Sequence, residues 1–328
     1  MPPLAAPIAT LLAGCVHAPP TVPILVGDAG RLEGDRVALA LVGGWGEASV
    51  EERATVLEVG RALLLVGETA RGTNRSWAET LPTLGAARLL PLPGEAERRS
   101  DRELRTFHTV FDGYGVRGGG APASWQSFLV VSGGHRWRVV VLDADEAALG
   151  QRFVDELSWL PKVLGGDEPV IVLANAAVGS NAQGYGVPPA MQELFAVVRR
   201  HVDATRLVMV ASAAPRVTEL VLPRGAWGEA WLSTWLGEPD VLLRDRDGHA
   251  LERTLDLALL TSAAAVDDRD VELLDDTVTA WSPRGDAARG WWTLDIEGAE
   301  LRLTHRTIDG ERSAEVRWSV EGGWSARR

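Results

Sequence analysis

The residues of this chain that could do chemistry are carboxylates and amides placed where a short apolar run gives way to a polar or glycine-rich turn. Asp28 follows Thr21 to Val26, Glu68 follows Ala62 to Val66, and Glu95 and Glu97 follow Ala87 to Leu92. Asn175 follows Val170 to Ala174 and opens the small, polar stretch Asn175 to Asn181. Oxygen donors of this kind suit a hard cation such as Ca²⁺ or Mg²⁺. Asp28, Glu68, Glu95 and Glu97 would hold one such ion if the fold gathered them. Gathered without a cation, they would repel one another and be partly protonated. Other chemistries find less support. The six histidines, at positions 17, 108, 135, 201, 249 and 305, read as scattered in loops and helix ends, with no pair at a metal-ligand spacing. There is no G-x-S-x-G elbow, no phosphate-binding P-loop and no cysteine to serve as a nucleophile.

The elements that must position these residues alternate between strands and helices. Val170 to Ala174 is short, apolar and β-branched, the pattern of a strand buried on both faces. Val37 to Val42, Ala62 to Val66, Ala87 to Leu92 and Leu207 to Val210 read the same way, and Ser127 to Val131 and Trp137 to Asp143 form a pair joined by a Gly-Gly turn. Ser49 to Val59 is a helix with Ser49 as cap and Glu52 three residues on, a capping-box spacing. Gln151 to Leu164, with Phe153, Leu157 and Leu160 at helical spacing, and Pro189 to His201 are further helices. Phe107 to Gly120 reads as a surface loop, and the acidic run Asp267 to Asp276 as a solvated face. Trp291 to Ile296, Ala299 to Arg306 and Ser313 to Val320 alternate around Glu297-Gly298 and Asp309-Gly310, a closing meander.

At 328 residues, 46% hydrophobic, the chain can bury a large core. Its net charge of −12 argues against a phosphate backbone as partner, so no nucleic acid is expected. Leu4 to Gly14 is small and apolar and ends in Leu12-Ala13-Gly14-Cys15, which resembles a bacterial lipobox. That resemblance implies a signal peptide over residues 1–14, a lipidated Cys15 and a linker over 15–20, although no Lys or Arg precedes the apolar run. Val16 rather than Asp follows the cysteine, so the expected location is the outer membrane of a bacterial envelope. Residues 21–328 then form one domain whose part from 241 to 328 is rich in strands.

The strand-then-loop frames LVGDAG, LLLVGET, LPLPGEAE, VVVLDAD, VIVLANAAVGSN and MVASAAP resemble, in order, those of the calcineurin-like metallophosphoesterases. The resemblance runs over roughly residues 21 to 320 and implies a four-layer α/β/β/α sandwich of two mixed sheets, closed by C-terminal antiparallel strands. It also implies a place for each metal ligand. The first motif, Gly-Asp-x-Gly, is matched by Gly27-Asp28-Ala29-Gly30, or by Gly43-Gly44-Trp45-Gly46 with Gly44 in place of Asp; Asp28 is favoured, because lipoprotein members often carry such a sequence near the start. Glu68 stands where an Asp would bridge both metals, and its extra methylene moves the carboxylate by about one C–C bond length. A bridge between ions ~3.5–4 Å apart tolerates that poorly. Glu95 and Ala96 replace the Asn and His of Gly-Asn-His, Asn175, Ala176 and Ala177 replace His-His-Pro, and Ala213 and Pro215 replace both His of Gly-His-x-His.

The expectation is a catalytically inactive, metallophosphoesterase-like lipoprotein with no cofactor, kept as a binding or assembly module for an envelope protein. One alternative is a phosphoesterase with a single divalent cation on the rebuilt carboxylates. Another is a carbohydrate binder that uses exposed Trp227, Trp231, Trp235, Trp281 and Trp324 among the thirteen tryptophans, although aromatic packing is the preferred role for these.

Overall fold

The computed structural model describes residues 31–59, 62–67, 70, 80, 88–100, 104–111, 124–175, 189–203, 205–212, 219–223, 230–233, 278–281 and 290–326. In chain order the first elements are β1 (Arg31–Gly34), β2 (Arg36–Val42), α1 (Val50–Val59), β3 (Ala62–Val66), β4 (Arg88–Leu92), α2 (Glu95–Ser100) and α3 (Arg105–Val110). There follow β5 (Gln126–Ser132), β6 (His135–Leu142), α4 (Glu146–Leu149), α5 (Gln151–Leu164), β7 (Val170–Ala174), α6 (Pro189–His201) and β8 (Leu207–Ser212). The last are β9 (Glu219–Pro223), β10 (Ala230–Ser233), β11 (Val278–Trp281), β12 (Gly290–Glu297), β13 (Glu300–Thr307), β14 (Arg312–Ser319) and β15 (Gly323–Ala326).

Two mixed sheets result. The first runs β15-β14-β13-β12-β2-β3-β4 and the second β1-β5-β6-β7-β8-β10-β9-β11. Period-two alternation explains why the central strands look uniformly apolar in sequence. In β6 and β7, Trp137, Val139, Val141, Ile171 and Leu173 join the core between the sheets. Their neighbours Val140, Leu142, Val170, Val172 and Ala174 pack under α5 and α6 with Phe153, Leu160, Met191 and Leu194. Val56 of α1 and Phe107 and Val110 of α3 extend the core on the side of the first sheet, completing the helix–sheet–sheet–helix layering. Among the described residues no helix is long and apolar enough to cross a membrane.

Local chemistry places the elements as expected in several cases. Ser49 and Glu52 form the reciprocal capping box, with Ser49 N–H donating to Glu52 Oε2 at 2.7 Å and Glu52 N–H to Ser49 Oγ at 3.2 Å. The β5–β6 hairpin turns on Gly133 and Gly134, both at positive φ (52° and 82°), as a tight two-residue turn requires. Gly133 also lies against Gly298, where a Cβ would come within 3.3 Å of the Gly298 Cα.

Other expectations are corrected. The start of the supposed loop Phe107 to Gly120 belongs to α3, and Phe107, Val110 and Phe111 are buried, because apolar side chains at that spacing cover the core rather than face water. The meander gains a strand, β15, and β12 is buried along Trp291 to Ile296 instead of alternating, since it lies inside the sheet between β13 and β2. Trp324 is not exposed: it is buried, and its indole N–H donates to the Val208 carbonyl at 3.0 Å, tying β15 to β8 across the sandwich. Trp231 and Trp281 fall in β10 and β11, while Trp227 and Trp235 lie outside the described residues. His305 is in the interior of β13, not in a loop or helix end, and burial pushes its imidazole down to about 3. A Cβ on Gly290 would meet its ring at 2.7 Å, so only glycine fits there.

Candidate functional site

Parallel neighbours end at the same edge of a sheet. β2, β3 and β4 run parallel, with Val42 opposite Leu65 and Val66 opposite Leu92, so Gly44, Gly67 and Gly94 follow their three ends. β6, β7 and β8 run parallel in the other sheet and end in Asp143, Asn175 and Ser212. The two edges meet where Asn175 Nδ2 donates to the Pro93 carbonyl at 3.0 Å. Such an edge, at the carboxyl ends of parallel strands, is where α/β proteins place their ligands.

The structure brings Gly44, Ala96 and Asn175 to this edge and starts α2 at Glu95. Cys15, Asp28, Glu68, Ala213 and Pro215 lie outside the described residues. Gly44 sits at φ 68°, in the left-handed region that glycine enters freely, and leads into the short turn Trp45–Glu47. Trp45 is fully buried, and Arg53 of α1 donates to its carbonyl at 3.0 Å. The end of β2 is thus a packed structural turn in which Gly44 itself brings no side chain.

The polar residues of the edge are committed to one another. Asp143 is fully buried. Its Oδ2 accepts from the Arg98 guanidinium and from Ser124 Oγ, and its Oδ1 accepts from Asn175 Nδ2 at 2.7 Å and the Asp145 N–H at 3.3 Å. Arg98 also pairs through Nε with Asp145 Oδ2 at 3.1 Å. Asn175 Oδ1 accepts the Ala144 N–H at 2.8 Å, so its amide is used on both atoms. Glu97 takes the Gly94 N–H on Oε2 at 2.9 Å, capping its own helix, and the Ala70 N–H on Oε1 at 2.7 Å, which fixes the loop after β3.

Behind this layer stands Glu156 of α5, fully buried, its Oε1 accepting the Asp143 N–H at 2.9 Å. Burial, then the neighbouring charge of Asp143, raises its carboxyl well above the usual range, against the opposing pull of that N–H, Arg98 and Arg152. The shift favours the protonated form, which places less negative charge beside Asp143 and Asp145. Its Oε2 has no hydrogen-bond partner among the described residues.

The described residues do not fit a two-metal centre. Gly44 and Ala96 offer no side-chain donor, and the oxygens of Asp143, Asn175 and Glu97 are bound by N–H, O–H and guanidinium groups. Arg98 stands against the carboxylate an ion would need. Among the described residues no group of three or more His, Cys, Asp or Glu is placed to hold a metal. Glu97, one of the carboxylates expected in a one-cation site, is saturated by backbone amides; Asp28 and Glu68 lie outside the described residues.

Sequence reasoning passed over Arg98, Ser124 and Glu156. Glu156 carries a signal: it lies on the stripe Phe153, Glu156, Leu160, Leu164, where a charged residue is out of place on the buried face of a helix. Arg98 carries none, because only the packing of α2 against β6 turns it inward.

No family model matches the chain, and no curated protein matches it by sequence. Solved structures do match. GAP50, the anchor in the inner membrane complex of Plasmodium, is 8% identical, covers 89% of this chain and 90% of its own, and superposes with a TM-score of 0.57. A dimetal phosphatase from Danio rerio is 11% identical over 86% of this chain and 98% of its own, with a TM-score of 0.48. A 5′-nucleotidase from Staphylococcus aureus is 11% identical over 74% and 58%, with a TM-score of 0.42. The chain shares with GAP50 a fold of two mixed sheets with helices, and at such identities the likeness is one of fold alone.

Proposed function

We propose that this chain, built on the metallophosphoesterase fold, is a catalytically inactive binding or assembly module, lipid-tethered through Cys15 to the outer membrane of a bacterial envelope and engaged there with an envelope protein. The observation that carries the reading is the commitment of Asp143, Asn175 and Glu97 to internal partners, with Arg98 set among them. Two-metal hydrolysis needs free donors, both to hold the ions and to generate the hydroxide; these residues supply none. The saturation of Glu97 weighs against a rebuilt carboxylate site, and the burial of Trp324 against a Trp-based sugar surface. A role without hydrolysis is compatible with the fold, since the Plasmodium protein that shares it is described as an anchor in a membrane complex.

The test is an assay of the purified full-length chain on aryl phosphate mono- and diesters with added Mn²⁺, Zn²⁺, Ca²⁺ or Mg²⁺, paired with metal content by elemental mass spectrometry. The expected result is no metal-dependent turnover and a metal stoichiometry near zero. Turnover that needs an added metal and disappears in Glu68→Ala overturns the reading.

A further inference from the structure

The disagreement between this edge and a metal centre has a positive side. Taken together, the groups facing Arg98 form an arrangement built around a cation. Asp143, directly after β6 of the second sheet, is fully buried against the guanidinium; Asp145 pairs with the same group at 3.1 Å. Arg98 itself rides on α2, directly after β4 of the first sheet, and only 6% of its side chain is exposed. Ser124 and Asn175 complete the shell of Asp143, and Asn175 reaches back to Pro93 at the end of β4. A buried carboxylate requires a counter-charge, and a charge joined to both sheets also joins their edges.

We propose that Arg98 is this protein's own built-in counter-ion: its guanidinium neutralises Asp143 and clamps the first sheet to the second at the strand-end edge, work that a bound cation would otherwise do, so the folded chain needs no ion. The inference deepens the inactive-module reading and rests on it. The planar fork of Arg suits the task, since one nitrogen meets Asp143 while another meets Asp145, a geometry that Lys cannot reproduce. Glu156 stands behind the pair, its Oε1 accepting the Asp143 N–H at 2.9 Å and so holding the strand end that carries Asp143.

The experiment is a double-mutant cycle read by thermal unfolding of the full-length chain. Its members are wild type, Arg98→Ala, Asp143→Asn and the double variant, each with EDTA, with millimolar Ca²⁺, Mg²⁺, Mn²⁺ or Zn²⁺, and with guanidinium chloride well below denaturing concentrations against a NaCl control. The wild-type midpoint is expected to be unchanged by EDTA or by any of the metals, and to fall slightly in guanidinium chloride as any protein does. Arg98→Ala should fall by roughly 10 °C, the size that an uncompensated buried charge implies for a chain of this length. The double variant should fall by clearly less than the sum of the singles, and guanidinium or a divalent cation, but not sodium, should raise Arg98→Ala alone. Additive losses overturn the proposal, as does a wild-type midpoint that moves with EDTA or added metal. Should Arg98→Ala not fold, Arg98→Gln paired with Asp143→Asn gives the same cycle with the charge removed and a hydrogen-bonding side chain kept; additivity there overturns it equally. The two readings fail separately: metal-dependent turnover by wild type sinks the inactive module, whereas additivity in the cycle sinks only the counter-ion.

Discussion

The two ends of the sandwich are closed in different ways. At the end where β5 meets β6 and β12 meets β13, the closure is neutral and directed at backbone. Ser132 Oγ lies 2.6 Å from the Asp35 carbonyl and 3.2 Å from that of Ile296, and it accepts the Gly298 N–H at 3.1 Å. The Trp137 indole donates to the Gly298 carbonyl at 2.9 Å. At the opposite end the closure is charged and runs from side chain to side chain: Arg98 to Asp143 and Asp145, Asn175 to Asp143, with the buried Glu156 behind. These neutral bonds end on backbone groups and leave no buried charge when one is lost, so each costs about what one hydrogen bond is worth. The charged end is a network, and removing one member leaves another buried and unbalanced.

That contrast can be broken by mutation. The largest effect is expected for Arg98→Ala, a loss of about 3–5 kcal/mol in equilibrium denaturant unfolding, because Asp143 is left without its cation. A loss no larger than that of a single hydrogen bond would erase the distinction between the two ends. Asn175→Ala comes next at about 1–3 kcal/mol, since it strips partners from the Ala144 N–H, the Pro93 carbonyl and Asp143 at once. Ser132→Ala, at the neutral end, should cost only about 1 kcal/mol and should show no response to salt.

The effect that is sharpest in kind, because it varies with pH, concerns Glu156. Its carboxyl is raised in the folded chain above the ordinary 4.5, so its contribution to stability is full below pH 4.5 and is lost as pH rises toward the raised value. Glu156→Gln keeps the acceptor for the Asp143 N–H and cannot ionise. Its stability relative to wild type should therefore climb above pH 4.5, by at most about 1.4 kcal/mol per pH unit. A difference that stays flat from pH 4 to pH 8 refutes the assignment. The opposite slope comes from His305, whose imidazole is lowered from 6.5 to about 3: its contribution is present above pH 6.5 and is lost as pH falls toward 3. Its ring carbon resonances in NMR should accordingly show no titration between pH 5 and pH 8.

Much of the fold is written locally. The runs Ala62–Val66 and Val170–Ala174 and the helix Gln151–Leu164 have the bounds their apolar patterns suggest, and Ser49 with Glu52 marks the start of α1. The order of strand-then-loop frames carries the architecture too, because a strand buried on both faces and ended by a small polar turn has few other homes. Less of the site can be read that way. That the end of β2, with Gly44, lies level with β3 and β4 depends on pairings between residues far apart in the chain. The inward turn of Arg98 and the burial of Trp324 and Phe107 are likewise long-range facts.

The division follows from the physics. Hydrophobic periodicity, caps and turn glycines act between residues a few positions apart, so the chain's own order determines which segments become strands and helices and where most of them stop. Whether a carboxylate at the end of a strand faces water, an ion or an arginine depends on which distant group arrives to balance its charge. Asp143 and Arg98 are 45 residues apart, and only the meeting of the two sheet edges made them partners.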